Sequence, residues 1–336
     1  MSSGLELSVA ICTCGRPSLQ QVLEGLGSCD GAGEPGWEVV VVDNRPSVDT
    51  EALVGSFRAK LPIHYVAEPQ PGSSSARNRC VIASRGETIW YLDDDVRLTQ
   101  NWLLAIRSAI RMHPEAAFFG GKLLPEWGTT TFPKWFRGEV CGRVGHGTMA
   151  GLYDYGDVER ILAPDEIVIE ANMGIRRRVF AEVGGFRADM GILPDKPRGF
   201  GEGPDLIVRA RSRGGIGLYV PGAMAHHLIL ADRYTVGYAL RWACSMGRFA
   251  QKTKALYHMR AGRHSTTYRI LEVARNAIRV VTSLPAPLFF GWFVDIRHRV
   301  EYWMTLAWSL GRMAESFAVK PGLSLDWPEL LKELKE

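Results

Sequence analysis

Apolar runs and amphipathic stretches alternate through the first third of the chain. LSVAIC, beginning at Leu7, is continuously apolar, as is WEVVVVD from Trp37 to Asp43, and runs of this kind read as strands buried on both faces. Between them, Leu19, Val22, Leu23 and Leu26 recur at the spacing of one helix face. The alternation continues with a helix from Val48 to Lys60, a strand IHYVAE, a helix from Ser73 to Ser84 and a strand TIWYL from Thr88 to Leu92. A helix from Thr99 to Met112 and a strand from Ala116 to Gly120 follow. Strands alternating with helices predict an α/β fold with a largely parallel sheet. Ligands of such sheets bind at the carboxyl ends of the strands, where Asp43 and the run Asp93, Asp94, Asp95 fall.

Periodicity lapses from Pro125 to Asp165, a stretch rich in Gly, Trp, Phe and Thr that predicts irregular loops able to form a lid. It returns at IVIEANMGIRRRVFAEVGGF, which reads as a short strand, a turn and a helix ending at Gly184 and Gly185. PDLIVRARSR follows as a helix with Pro204 in its first turn, then IGLYVPG as a strand. Beyond His227 the pattern changes to long helices, over about 233–258, 264–284 and 288–318. Two regions result, an α/β domain over 1–230 and a helical region over 231–336, with no internal repeat.

Composition narrows this picture. With 336 residues, 46% of them hydrophobic and 23% charged, the chain can bury a sizeable core. A net charge of +4 gives no reason to expect a nucleic-acid partner. That total conceals an asymmetry: from Asp232 to Arg312 there are 13 Lys and Arg against 4 Asp and Glu, and this stretch also holds Trp242, Trp292, Trp303 and Trp308. The six cysteines form no C-x-x-C pair, so neither a disulfide framework nor a zinc site is indicated, and Cys12 and Cys14 read as small core residues. The first residues carry no signal-peptide pattern and no run is apolar enough to span a bilayer, so a cytoplasmic protein is expected.

Three adjacent carboxylates directly after a buried strand repel one another unless a cation or strong donors neutralise them, and a solvated turn would more often follow a polar stretch. Asp93, Asp94 and Asp95 therefore point to Mg²⁺ or Mn²⁺, ions that favour few carboxylates plus phosphate oxygens, and so to a nucleoside diphosphate. PGSSSARNRC places Arg77 near a helix N-terminus, where its fork suits phosphate. Glu202 and Asp205 form a second acidic pair, and His226 and His227 follow an apolar run.

In this order, SVAICTCGRP, VVVVDN, ARN, YLDDDV, EANMGIRR, GGF, a GE-x-x-DL segment and the VPGA-x-x-HH strand resemble the family 2 glycosyltransferases of the GT-A fold, over about Leu7 to Leu230. The resemblance implies a GT-A nucleotide-binding sheet flanked by helices, with a helical C-terminal extension. It implies that Thr13, Arg16 and Asp43 line the nucleoside pocket, that Arg77 contacts the nucleotide or its diphosphate, that Asp93 and Asp95 form a D-x-D motif with Asp93 near the ribose or the metal, and that Asp94 lies at the donor. Asp95 and His227 would hold the metal, with His226 the substitute if the register is off by one. Asn172 and Met173 would shape the acceptor side. Inverting transfer also needs a carboxylate to take the acceptor proton. The family places it at the Asp of a GED-x-DL segment, where this chain has Gly203, so Glu202 is the first choice for the base and Asp205 the second.

The resemblance does not cover residues 231–318. Arginines and lysines there, from Arg241 to Arg279, lead into VVTSLPAPLFFGWFV, which Pro285 and Pro287 break. This reads as an interfacial anchor meeting an anionic membrane surface, against the plainer reading of amphipathic helices packed on the catalytic domain. The whole reading is a cytoplasmic, membrane-peripheral, metal-dependent enzyme that moves sugar from a nucleotide-sugar donor, UDP-linked by expectation, to a saccharide or lipid-linked acceptor. Its competitors are a sugar nucleotidyltransferase, for which CTCGRP has too few glycines, and a catalytically weak nucleotide-sugar-binding scaffold, prompted by Gly203.

Overall fold

A computed structural model describes residues 5–128, 133, 136, 152–192, 201–260, 266–284 and 296–318. One nine-stranded sheet organises the first two thirds of the chain. Its strands are β1 (Leu7–Thr13), β2 (Trp37–Asp43), β3 (Ile63–Ala67), β4 (Thr88–Asp93), β5 (Val96–Leu98), β6 (Ala116–Trp127), β7 (Arg160–Ile161), β8 (Asn172–Arg176) and β9 (Ile216–Ile229). The helices are α1 (Leu19–Ser28), α2 (Val48–Ser56), α3 (Ser73–Ala83), α4 (Trp102–Met112), α5 (Arg177–Val183), α6 (Glu202–Arg211), α7 (Val236–Arg260), α8 (Thr266–Ser283) and α9 (Ile296–Ala318).

The strand order is β3-β2-β1-β4-β8-β6-β9-β5, with β7 added beside β9. The pairs β3-β2, β2-β1 and β1-β4 are parallel. β8 runs antiparallel to both β4 and β6, while β6 and β9 are parallel to each other. The expected largely parallel sheet is thus a mixed one, since β8 reaches its place directly from a loop and needs no crossover helix. β1, β2 and β4 are covered on both faces, which is why their sequences are continuously apolar. On one face α1 buries Leu19, Val22, Leu23 and Leu26, and α4 buries Trp102, Leu103, Ile106 and Ile110.

Two strands outrun their sequence signals. β6 continues through Trp127 and β9 runs for 14 residues, across Pro221 and Gly222. The ladder between them shifts register between Gly121 and Leu123, so the missing N–H of Pro221 falls in an irregularity and breaks no hydrogen bond. Much of the stretch read as a lid lies outside the described residues.

The C-terminal helices pack on this sheet unit. Trp242, Tyr238, Val300 and Met304 form one apolar cluster with Phe136 and Ile229, and Lys252 pairs with Asp189 at 2.7 Å. Between α7, α8 and α9 lies a buried polar seam. Asn276 donates to Gln251 (3.1 Å) and Ser316 (2.7 Å), Arg312 donates to Gln251 (2.8 Å), and Lys254 and Arg275 both pair with Glu272. Of the basic side chains expected to face a membrane, Lys252 and Lys254 are held in ion pairs within the protein while Arg275 stays more than half exposed, and residues 285–295, the core of the expected anchor, lie outside the described residues. Among the described residues no helix is long and apolar enough to cross a membrane.

Candidate active site

The carboxyl ends of β1, β2 and β4 converge with β9. β4 ends at Asp93, and the tight turn to β5 carries Asp94 and Asp95. β5 pairs with β9 so that Val96 lies opposite His227, which delivers the histidine to the aspartates. Ligand-type atoms of Asp93, Asp95 and His227 all lie within 4.8 Å of one another. His227 Nε2 is 3.3 Å from Asp95 Oδ1, yet that oxygen and His227 Nδ1 are buried without a hydrogen-bond partner. Two carboxylates, an imidazole and an orphaned buried oxygen form a donor set that fits Mg²⁺ or Mn²⁺. His226, on the opposite face of β9, stands outside this group.

The electrostatics match that arrangement. Burial pushes Asp93 up, the neighbouring Asp95 adds to this, and Arg77, His227 and Arg16 oppose it. Burial likewise raises Asp94, to about 6, although Arg16 and the Thr13 hydroxyl offset part of the effect. For Asp95 burial is outweighed by His227 and Arg16, so its carboxylate lies below the ordinary range.

Around the aspartates the expected donor-side residues are largely engaged with one another. Thr13 donates to Asp94 at 2.6 Å, and Arg16 bridges Asp94 (3.0 Å) and Asp95 (2.6 Å). Asp43 is wholly buried and accepts from the N–H groups of Arg45 and Ser47 and from the Tyr65 hydroxyl, which shapes the loop after β2. Arg77, on α3, lies 2.5 Å from Glu202, 3.7 Å from Asp93 and 3.9 Å from Glu170, so its guanidinium is ringed by carboxylates where it was expected to meet phosphate. Burial works against its charge, but Glu170, Glu202 and Asp93 more than offset this.

Three expectations need correction. Asn172 and Met173 do not line an acceptor surface: they are 2% and 0% exposed. Asn172 Oδ1 accepts the indole N–H groups of Trp90 (2.9 Å) and Trp102 (3.1 Å), and its Nδ2 donates to the carbonyls of Lys122 (3.0 Å) and Ala223 (2.7 Å). All its capacity goes to stitching β8 into the sheet. Asp205 is also committed, to a buried ion pair with Arg209 at 2.7 Å. Arg209 in turn donates to the carbonyls of Val183 and Gly185, so Asp205, through Oδ2, anchors the side chain that holds the GGF corner.

Glu202 does reach the site, where its Oε1 accepts from Ser73 (2.6 Å) and Arg77 (2.5 Å). Beside it stands a residue that sequence reasoning passed over. Glu170 is buried, accepts the Gly203 N–H at 2.5 Å, and is pushed up to about 7, first by burial and then by Glu202 and Asp93, with Arg77 opposing. The signal available was a single acid within the apolar run IVIEANM.

The sequence pattern described as "Glycosyl transferase family 2" matches residues 8–184, more than half of the chain. The chain belongs to this family. It is 31% identical over 149 residues to the succinoglycan biosynthesis protein ExoM of Rhizobium meliloti, a match covering 40% of this chain and 48% of that protein. The chain thus spans about half the length of that relative. It is 22% identical over 231 residues to a glucosyl-dolichyl phosphate glucuronosyltransferase of Haloferax volcanii, covering 68% of this chain and 71% of that one. In fold it resembles the mannosyltransferase PcManGT of Pyrobaculum calidifontis, solved with GDP-Man and Mn²⁺ (TM-score 0.53, 16% identity, 94% of this chain and 75% of that chain). It also resembles S. aureus TarS (TM-score 0.50, 13% identity, 92% and 55%). The sheet is that of these glycosyltransferase structures, and the family assignment speaks against the sugar nucleotidyltransferase alternative.

Proposed function

We propose that this family 2 glycosyltransferase is a metal-dependent inverting enzyme that transfers sugar from a nucleotide-sugar donor, UDP-linked by preference, to a hydroxyl of a saccharide or lipid-linked acceptor in polysaccharide or glycoconjugate synthesis. The observation that carries this is the trio Asp93, Asp95 and His227, converging within 4.8 Å at the strand ends with a buried, unpartnered carboxylate oxygen. These three residues would hold Mg²⁺ or Mn²⁺, and the ion would neutralise the charge that develops on the departing diphosphate. Arg16, half exposed at the mouth of the site, is free to turn from the aspartates to the nucleotide. Thr13, Asp94 and Asp43 fix the loops that form the nucleoside pocket. Arg77 supports Glu202 and Glu170 on the side from which the acceptor approaches.

Support for a lipid-linked acceptor comes from α8. Glu272 and Asn276 face the protein interior, whereas Ile270, Leu271, Ile278 and Val281 are exposed, three of them by more than 60%, alongside the exposed Arg275 and Arg279. A helix that offers apolar and basic side chains together suits the boundary of an anionic membrane, as does the basic excess of 232–312. The enzyme would thus work peripherally on the inner face of the cytoplasmic membrane.

The test incubates the full chain with UDP-, GDP- and dTDP-sugars and Mn²⁺ or Mg²⁺, follows donor consumption, and reads the anomeric configuration of the product by NMR. Consumption of one donor class with inversion, lost on chelation, is expected. No consumption with either metal, together with unchanged nucleotide binding by Asp95→Ala, would sink the reading.

A further inference from the structure

We propose that Glu170, lodged in the space that Gly203 leaves open, is the general base that takes the proton from the acceptor hydroxyl. This rests on the transferase reading above and adds the group that completes it. Glu170 lies just before β8, and its carboxyl sits over the first turn of α6, where Oε1 accepts the Gly203 N–H. A Cβ on residue 203 would stand 2.4 Å from Glu170 Cδ and 2.5 Å from Oε1. The carboxylate thus occupies the volume that any side chain at 203 would claim, and glycine is what admits it.

Neighbouring carboxylates are less suited. Asp205 is consumed by Arg209. Glu202 is tied through Oε1 to both Arg77 and Ser73, and its Oε2 is unengaged among the described residues, so Glu202→Gln stands beside Glu170→Gln in the test below. Glu170 accepts the Gly203 N–H at Oε1 and makes no side-chain hydrogen bond among the described residues, so Oε2 is the oxygen offered to a proton. It stands 3.9 Å from the Arg77 guanidinium, whose other arm lies 3.7 Å from Asp93, so one side chain links the carboxylate to the donor end of the cleft. The titratable groups that face Glu170 are Arg77 from α3, Glu202 from α6, Asp93 from β4 and Tyr153 from the stretch ahead of β7. Burial and the two acids hold it near 7, where a group can both accept a proton and release it in neutral solution. In the step, the acceptor O–H bond breaks and its proton goes to Glu170. The oxygen forms a bond to the anomeric carbon, and the bond from that carbon to the diphosphate breaks, with its electron pair leaving on phosphate. Glu170 then returns the proton to water.

The experiment compares the wild-type chain with Glu170→Gln, Glu202→Gln, Gly203→Ala and the relocation pair Glu170→Gly with Gly203→Asp, using the nucleotide sugar that the wild type consumes with Mn²⁺. Glu170→Gln is expected to lower kcat about a hundredfold or more while the donor KM stays within threefold. It should also erase the rise of kcat with pH that levels off above about 7. Gly203→Ala, which displaces the carboxylate without removing it, should fall likewise, and the relocation pair should recover at least tenfold over Glu170→Gly alone. A carboxylate raised in the fold contributes stability below its unfolded value of 4.5, and that contribution is lost as pH rises through about 7. Glu170→Gln should therefore melt no lower than the wild type at pH 8, whereas a merely structural carboxylate would leave the variant less stable and its pH profile intact. A Gln variant that turns over within threefold of wild type overturns the assignment and leaves the transferase reading standing. A wild type that consumes no sugar nucleotide overturns both.

Discussion

Arg16 Nη1 lies 2.6 Å from Asp95 Oδ2, so a half-exposed side chain on the loop after β1 already neutralises one of the three groups suited to a metal. A divalent cation has to compete with it. Arg16→Gln should bind Mn²⁺ about fivefold more tightly in the absence of nucleotide, the equivalent of roughly 1 kcal/mol for a partly exposed ion pair, as read by calorimetry or by the EPR signal of free Mn²⁺. Weaker Mn²⁺ binding by the variant would count against competition.

Asn172 joins four partners, three in the sheet and Trp102 on α4, and none in a ligand site. Asn172→Ala should cost roughly 3–5 kcal/mol in chemical denaturation, because two indole N–H groups and two carbonyls lose a buried partner. The folded fraction should keep its donor KM within twofold. A variant of full stability with an altered acceptor KM would return Asn172 to the acceptor side.

Asp205→Ala leaves Arg209 charged and buried without its carboxylate. A loss of about 3 kcal/mol is expected, with turnover per folded molecule largely preserved. Unchanged stability combined with a hundredfold fall in kcat would instead make Asp205 the base.

Replacing Ile270, Leu271, Ile278 and Val281 together by Ser or Gln removes the exposed apolar face of α8 and leaves the seam around Glu272 untouched. Co-sedimentation with phosphatidylglycerol vesicles should fall at least tenfold while helix content is retained, and wild-type binding should weaken with salt. Undiminished binding would remove α8 from the lipid contact.

The fold was legible where burial leaves a continuous or periodic trace. β1, β2 and β4 announce themselves as apolar runs, whereas the pairing of Asp95 with His227 came from the family resemblance, and Asp93 joins them within 4.8 Å. Strand direction leaves no such trace. The run from Ile167 to Arg176 looks the same in either sense, so the antiparallel β8 was invisible, and with it the reason Asn172 is buried. Pro221 and Gly222 marked an end to β9 that a register shift cancels. Glu170 escaped because a lone acid in an apolar run gains meaning only when a distant glycine makes room for it. The inward turn of Glu272 and Asn276 was equally hidden, since a helical wheel shows two faces and does not say which one meets the protein.

Gly203 and Glu170 are locked into a single heritable unit. Any side chain gained at 203 displaces the carboxyl at 170, and losing the acid at 170 first empties the site. With Glu170 as the proposed base, neither position can drift alone without an impaired intermediate, so glycine at 203 and glutamate at 170 should be kept, or replaced, together.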